Sequence, residues 1–301
     1  MYKRLLAGAI VLALVIFGVW WLGGNKTVSV PSAPVPVKER LNVTVSGYVA
    51  YSLAKQIGGD RVTLHMLVPP GTEPHSFEPT PGSIIAVNEA DLFIYVSPRV
   101  EPWTADILKG LSGVNALEAG PSLPEQDPHV WMTPYGALEM AKRISKALIK
   151  ADPEGKAYYK QNLRFFEEEI KELHASFMNG FADCQSRDVV HVGHLAFGNL
   201  ARTYGLNLQS LTGTSHQSEH SVHRLAELVR YIRKHGVPAV FTEEMLSQDL
   251  ADTVARETNV RVLPLYTVEE VSKKDFDAGI TYGEYMRRNL HNLREGLKCR
   301  P

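Results

Sequence analysis

The chain has 301 residues, of which 44% are apolar and 22% charged, an ordinary globular composition with enough apolar side chains for a sizeable core. At roughly 100–200 residues per domain, two domains are expected. The formal charge of −1 gives no electrostatic reason to invoke nucleic acid or an anionic surface as a partner.

The first element is membrane-directed. Lys3 and Arg4 precede the uncharged run LLAGAIVLALVIFGVWWL at residues 5–22, which ends in Trp20 and Trp21. Eighteen residues reach the lower limit for a membrane-spanning helix. Basic residues before the run and interfacial tryptophans after it predict a cytoplasmic N-terminus with the remainder outside. A cleaved signal peptide is the competing reading, but Pro34 follows the nearest small-residue site, and no cysteine follows the run to carry a lipid. An uncleaved anchor over residues 1–24, followed by a Pro-containing tether over 25–40, is the preferred organisation.

From residue 41 strands and helices alternate. LNVTVSG (41–47), VTLHMLV (62–68) and DLFIYV (91–96) read as strands, with helical VAYSLAKQIGG, SIIAVNEA and PWTADILKGL between and after them. In the second half DVVHV (188–192), LNLQSL (206–211), AVFTE (239–243) and RVLPL (261–265) read as strands, again separated by helices. This alternation predicts α/β architecture: two lobes, 41–151 and 181–301, each a mainly parallel sheet flanked by helices. Between them, residues 152–180 place Tyr159, Leu163, Phe166, Ile170, Leu173 and Phe177 at spacings of 4, 3, 4, 3 and 4. That narrow apolar stripe on a charged background predicts a long rigid linker helix, with Asp152-Pro153 as its start and Gly180 as its stop. Cys184 and Cys299 leave two states open, a disulfide in an exported domain or two buried thiols.

Candidate chemistry collects past the carboxyl ends of strands, where open parallel sheets place their ligands. His75 lies in the Pro/Gly-rich loop after the second strand, with Thr80-Pro81 capping the next helix. His129 in QDPHVWMTP precedes a helix, and His194 follows the strand 188–192. Glu243 and Glu244 end the strand at 239–243, and Tyr266 follows the one at 261–265. If the halves face each other, these residues line one cleft, and three convergent neutral imidazoles suit Zn²⁺. The chain has eleven histidines, so three at strand ends can also arise by chance. His65 and His191 read as strand residues, and His174, His235 and His291 as solvated helix positions. His216, His220 and His223 read as a solvated helix entrance in preference to a second metal site.

The segments GTEPHSFEPTPGSI, NEADLFIYV, VEPW, DPHVWMTP, GHLAFGNLARTYGL, LAELVRYIRKHGVPAVFTEEMLS and VARETNVRVLPL occur in order over residues 41–297. By these the chain resembles the metal-binding receptors of bacterial zinc and manganese ABC importers. The resemblance implies two lobes joined by a rigid helix, metal held in the cleft, a monomer, and delivery to a cognate ABC permease. It places His75, His129 and His194 on three of four ligand positions, and the histidine at 194 is zinc-type, with Mn²⁺ the lesser alternative. The family's fourth ligand is an aspartate just after the last strand, where this chain has Tyr266. Glu243 is therefore the first choice for the fourth donor, with Glu269 or a water as alternatives. The His-rich loop often found before DPHVW is missing from the short EAGPSLPEQDPHV. The reading is a receptor, not an enzyme. A zinc hydrolase using Glu243 or Glu244 as base is the rival, though no HExxH helix supports it, and a surface adhesin is a third reading.

Overall fold

The computed structural model describes residues 40–120, 127–213, 222–243 and 248–300. The expected anchor (1–24), nearly all of the tether, His216, His220 and Glu244 lie outside the described residues. Among the described residues no helix is long and apolar enough to cross a membrane.

The first lobe comprises strands β1 (Leu41–Val45), β2 (Val62–Met66), β3 (Leu92–Tyr95) and β4 (Asn115–Glu118), with helices α1 (Tyr48–Gly58), α2 (Pro81–Asn88) and α3 (Thr104–Lys109). All pairings are parallel and the strand order is β2-β1-β3-β4, with Val43 opposite Leu92. The second lobe repeats this order as β6-β5-β7-β8, again parallel, with Val190 opposite Val240. Its strands are β5 (Asp188–Val192), β6 (Asn207–Ser210), β7 (Ala239–Glu243) and β8 (Arg261–Leu265). The interior strands β3 and β7 are buried along their whole length, as apolar runs covered on both faces should be. In each lobe the strand order reverses between the two central strands, which opens a crevice at their carboxyl ends.

Two antiparallel-running helices, α4 (Pro134–Ala151) and α5 (Lys156–Gly180), lie between the sheets in sequence. Asp152 caps the 3-10 turn Pro153–Gly155 by accepting from the Gly155 N–H, and its carboxylate also accepts from the Tyr159 hydroxyl at 2.7 Å and pairs with Arg61 at 2.7 Å. The 25 residues of α5 extend about 37 Å at ~1.5 Å per residue. Tyr159, Phe166, Ile170, Leu173 and Phe177 are buried along one face, and Leu163 packs at its margin. One continuous core joins this stripe to α1, α4 and the C-terminal helix α10 (Tyr282–Gly296). Replacing one of the buried phenylalanines by alanine costs about 3–5 kcal/mol in such a setting, so the connector is stiff because it is core.

The second lobe is completed by α6 (Gly198–Tyr204), α7 (Val222–His235), α8 (Gln248–Thr258) and α9 (Lys273–Asp277). Cys184 and Cys299 form a disulfide, choosing between the two states the sequence left open. The bond joins the segment entering β5 to the segment leaving α10. Between β8 and α10 the chain crosses to the first lobe. There Trp131 Nε1–H donates to the Thr267 carbonyl (2.9 Å), Gly71 N–H to the Val271 carbonyl (2.8 Å), and the Tyr282 hydroxyl to the Trp131 carbonyl (2.7 Å). The Tyr48 hydroxyl donates to the Ile280 carbonyl. His174 differs from its expected solvated position: its ring is half-buried, within hydrogen-bond reach of the Tyr204 hydroxyl at 3.1 Å, and tilted against Tyr135.

Candidate functional site

His75, His129, His194 and Glu269 each bring one donor atom within 4.8 Å of the others. His75 comes from the loop between β2 and α2, held by Glu73, whose carboxylate accepts from the backbone N–H groups of His75 and Ser76. His129 stands at the entrance to the 3-10 turn Val130–Met132, before α4. His194 follows β5 at the strand-order reversal of the second sheet. Glu269 lies four residues beyond β8, on the segment that crosses between the lobes. His129 and His194 are fully buried, and the side chains of His75 and Glu269 are 6% and 4% exposed.

In all three imidazoles Nδ1 faces an acceptor. Nδ1–H of His75 donates to the Val100 carbonyl (2.6 Å), that of His129 to Asp127 Oδ1 (2.7 Å), and that of His194 to Glu243 Oε1 (2.9 Å). An acceptor at Nδ1 fixes the tautomer and leaves the Nε2 lone pair for a cation. The Nε2 atoms turn towards Glu269 and one another. His194 Nε2 is 2.8 Å from Glu269 Oε1, His75 Nε2 and His129 Nε2 are 3.5 and 3.8 Å from Oε2, and the last two are 3.5 Å apart. A tetrahedron of ~2.0–2.1 Å zinc bonds has edges of roughly 3.3–3.4 Å, which the observed separations bracket. Both Glu269 oxygens are buried without a well-formed hydrogen bond, an expensive state for a carboxylate unless a cation sits with it.

Glu243 is placed differently from the expectation that it supplies the fourth donor. Its Oε1 accepts from both the backbone N–H and Nδ1–H of His194, on the far side of the ring from the other donors. The approach is close: a Cβ on Gly193 would lie 2.0 Å from that oxygen, so any side chain here would displace the carboxylate from His194. His191 supports the same group, with Nδ1–H donating to the His194 carbonyl and Nε2 lying 3.8 Å from Glu243. Tyr266 is also removed from the donor group. Its backbone is paired with the Asn289 amide and its ring packs against Tyr285 and under Arg288. His223 is exposed and pairs with Glu227. Asp127, quoted in DPHVW but given no role from the sequence, is fully buried behind His129.

The electrostatics follow from burial set against mutual charge. Burial opposes a charged imidazole at His75, but the Glu269 carboxylate outweighs it and lifts the group to about 9. At His194 burial is outweighed by Glu243 and Glu269, and the group is held well above its ordinary value. At His129 burial prevails over Glu269 and Asp127 and the group is lowered. Burial alone would raise Glu269, but the three imidazoles hold it well below the carboxylate range. Protons on His75 and His194 thus stand where a divalent cation would otherwise neutralise Glu269. Behind His75, burial drives Glu101 up to about 7 against hydrogen bonds from Ser46 and the Val96 N–H.

The family described as zinc-uptake complex component A, periplasmic (ZnuA), matches residues 43–296. The high-affinity zinc uptake system protein ZnuA of Bacillus subtilis is 31% identical over 282 residues, covering 86% of this chain and 88% of that protein. The Zn(II)-bound ZnuA-like domain of Streptococcus pneumoniae AdcA superposes with a TM-score of 0.76 at 31% identity, over 86% of this chain and 99% of the domain. The laminin-binding protein Lmb of Streptococcus agalactiae, described as bifunctional with adhesin and metal-transporting activity, superposes with a TM-score of 0.79 at 31% identity, over 85% of this chain and 99% of Lmb. Full-length AdcA proteins are longer: the match spans 56% of the zinc-binding protein AdcA of Streptococcus pyogenes.

Proposed function

The chain belongs to the periplasmic zinc-uptake complex component A family, and we propose that it captures Zn²⁺ outside the cytoplasmic membrane and delivers it to a cognate ABC permease. The observation that carries this reading is the buried meeting of three Nε2 atoms and one carboxylate, drawn from both lobes, within 4.8 Å. Zn²⁺ is cargo here. His75, His129, His194 and Glu269 are the proposed ligands, with Glu243 and Asp127 orienting two of the rings. Three nitrogens and one oxygen in a roughly tetrahedral set favour zinc over manganese, which prefers an octahedral oxygen shell. One carboxylate brings the charge of the loaded site to about +1, which helps retain the ion in a poorly hydrated cleft.

Four protein donors close a tetrahedral shell, whereas catalytic zinc keeps a position for water or substrate. That argues for a receptor and against a hydrolase. The stiff α5 connector and the hydrogen bonds across the cleft support a small lobe movement in uptake and release. The apolar run at residues 5–22 supports a tether to the membrane. A second reading, surface adhesion, is favoured by the likeness to Lmb, and growth of a deletion strain in chelated medium separates it from transport. His129→Ala should lower zinc affinity by more than about 100-fold, roughly 2.8 kcal/mol, with the circular dichroism and melting of the metal-free protein unchanged. Calorimetry showing wild-type binding by this variant would remove the site.

A further inference from the structure

Asp127 belongs to the first lobe, but only one of its oxygens serves that lobe. Oδ1 accepts from the backbone N–H of His129 (3.0 Å) and from its Nδ1–H (2.7 Å). Oδ2 accepts from the backbone N–H of Asn199 on α6 of the second lobe (2.7 Å). The Asn199 side-chain amide then donates to the Asp127 carbonyl (3.0 Å), so two bonds join the lobes at this residue. The contact is tight as well as polar. A Cβ on Gly198 would lie 2.6 Å from Asp127 Oδ2, so a side chain at residue 198 would push the carboxylate off this seat. Asp127 and His129 are both fully buried, so water does not replace these partners while the seam is closed.

We infer that Asp127 is a positioning residue that makes one zinc donor conditional on lobe closure, with Asn199 and Gly198 as its seat on the opposite lobe. The inference rests on the zinc-receptor reading above. When the lobes part at this seam, Oδ2 loses its N–H partner and Asp127 is free to turn. The His129 ring then loses the acceptor that fixes its orientation, and a coordination bond weakens without anything touching the metal. The other two rings lack this dependence. His75 is oriented by Val100 and His194 by Glu243, each within its own lobe. Partial opening would therefore loosen His129 ahead of the other two rings, giving their release a defined order.

The test measures zinc dissociation from the full chain by stopped flow with a chromogenic chelator, beside Co²⁺ visible spectra and melting of the metal-free form. The variants are Asp127→Asn, Gly198→Ala, Asn199→Ala and His129→Ala. Asp127→Asn should speed release by about 10–100-fold, the usual effect of disturbing an outer partner of a ligating histidine. Gly198→Ala, which wedges the seam and leaves His129 intact, should speed it by about tenfold or more. The double variant should be no worse than the stronger single, because both disrupt one clasp. The Co²⁺ d–d bands should lose intensity in both, a change that loss of fold stability alone does not produce. If Asp127→Asn fails to fold, Asn199→Ala decides, with release several-fold faster expected. Wild-type release rates in the folded seam variants, with His129→Ala strongly impaired, would overturn the clasp and leave the zinc site standing. Wild-type binding by His129→Ala would overturn both.

Discussion

Each lobe offers two candidate donors, and in each lobe one is secured within that lobe and the other across the seam. In the second lobe, His194, just past β5, is held by Glu243 from the adjacent strand β7, with His191 of β5 behind it, all within one lobe. The first lobe holds His129 through Asp127, whose other oxygen is seated on the second lobe. Glu269 shows the converse dependence. It is carried by the second lobe's chain, but Thr267 and Val271 on either side of it accept hydrogen bonds from Trp131 and Gly71 of the first. One half of the site is therefore self-supporting and the other is assembled across the seam. A receptor that must both hold and surrender its ion gains from this asymmetry, because part of the donor set persists while the rest follows lobe position.

The sharpest way to break that picture is at the two carboxylates. Glu269→Gln should weaken zinc by more than about 100-fold, beyond the 10–100-fold typical of an outer partner. Glu243→Gln should fall inside that smaller range, with the bound metal still four-coordinate by X-ray absorption. Equal losses in both variants, or a larger one at Glu243, would return the fourth-donor role to Glu243. The next effect is pH dependence. Because His75 in the metal-free protein is lifted to about 9, zinc must displace a proton at any pH below that. Affinity should keep rising up to about pH 9, by up to about tenfold per unit for each proton displaced, instead of levelling near pH 6.5. Calorimetry at pH 7 in buffers of different ionisation heat should register net proton release, and a buffer-independent heat would contradict the charge arrangement. Stability of the metal-free protein runs the other way. A raised folded-state pKa contributes stability fully below about pH 6.5, and that contribution is lost as pH rises through about 9. Melting temperature of the apo form should therefore drop over this window while affinity climbs. The smallest effect concerns the seat of Glu269. Val268 adopts φ +65°, a left-handed conformation that strains a β-branched residue by about 1–3 kcal/mol. Val268→Gly relieves that strain but gives up a buried side chain of similar worth. Stability should change by less than about 1 kcal/mol, with zinc affinity down only a few-fold as the loop gains freedom. Wild-type affinity would mean the strained turn does not aim the carboxylate.

Strand and helix alternation carried the fold, because parallel sheets need buried apolar strands and crossover helices, and both leave period and composition in the sequence. The linker helix was legible for a related reason, its stripe being a core face. The histidines stood out because His75 and His194 lie in loops past the carboxyl ends of strands and His129 just before a helix, where the general geometry of parallel sheets already points at a ligand. The sequence ranks Glu243 ahead of Glu269, one of its alternatives, because Glu269 lies four residues past β8, on a segment whose path depends on Val268 and on hydrogen bonds to the other lobe. Neither dependence is written locally, although the pair Glu269-Glu270 in RVLPLYTVEE marks acidic character at that end of the sheet. Glu243 does end a strand, but which nitrogen of His194 it meets depends on Gly193 leaving room on one side of the ring. Asp127 sat in plain view two residues before His129. What the sequence withheld was its partner, because Asn199 is distant in the chain and reaches the carboxylate through its backbone N–H.

The Cys184–Cys299 bond stands at the amino-terminal ends of the second sheet's strands, and that lobe's two candidate donors, His194 and Glu269, stand beyond the carboxyl ends. Oxidation and metal loading are therefore separate events at opposite poles of one lobe. Protein made in a reducing compartment should still fill with zinc one-to-one while lacking the staple at its base, so metal stoichiometry is no certificate of maturation. A thiol titration beside every zinc measurement would reveal which form was in the tube.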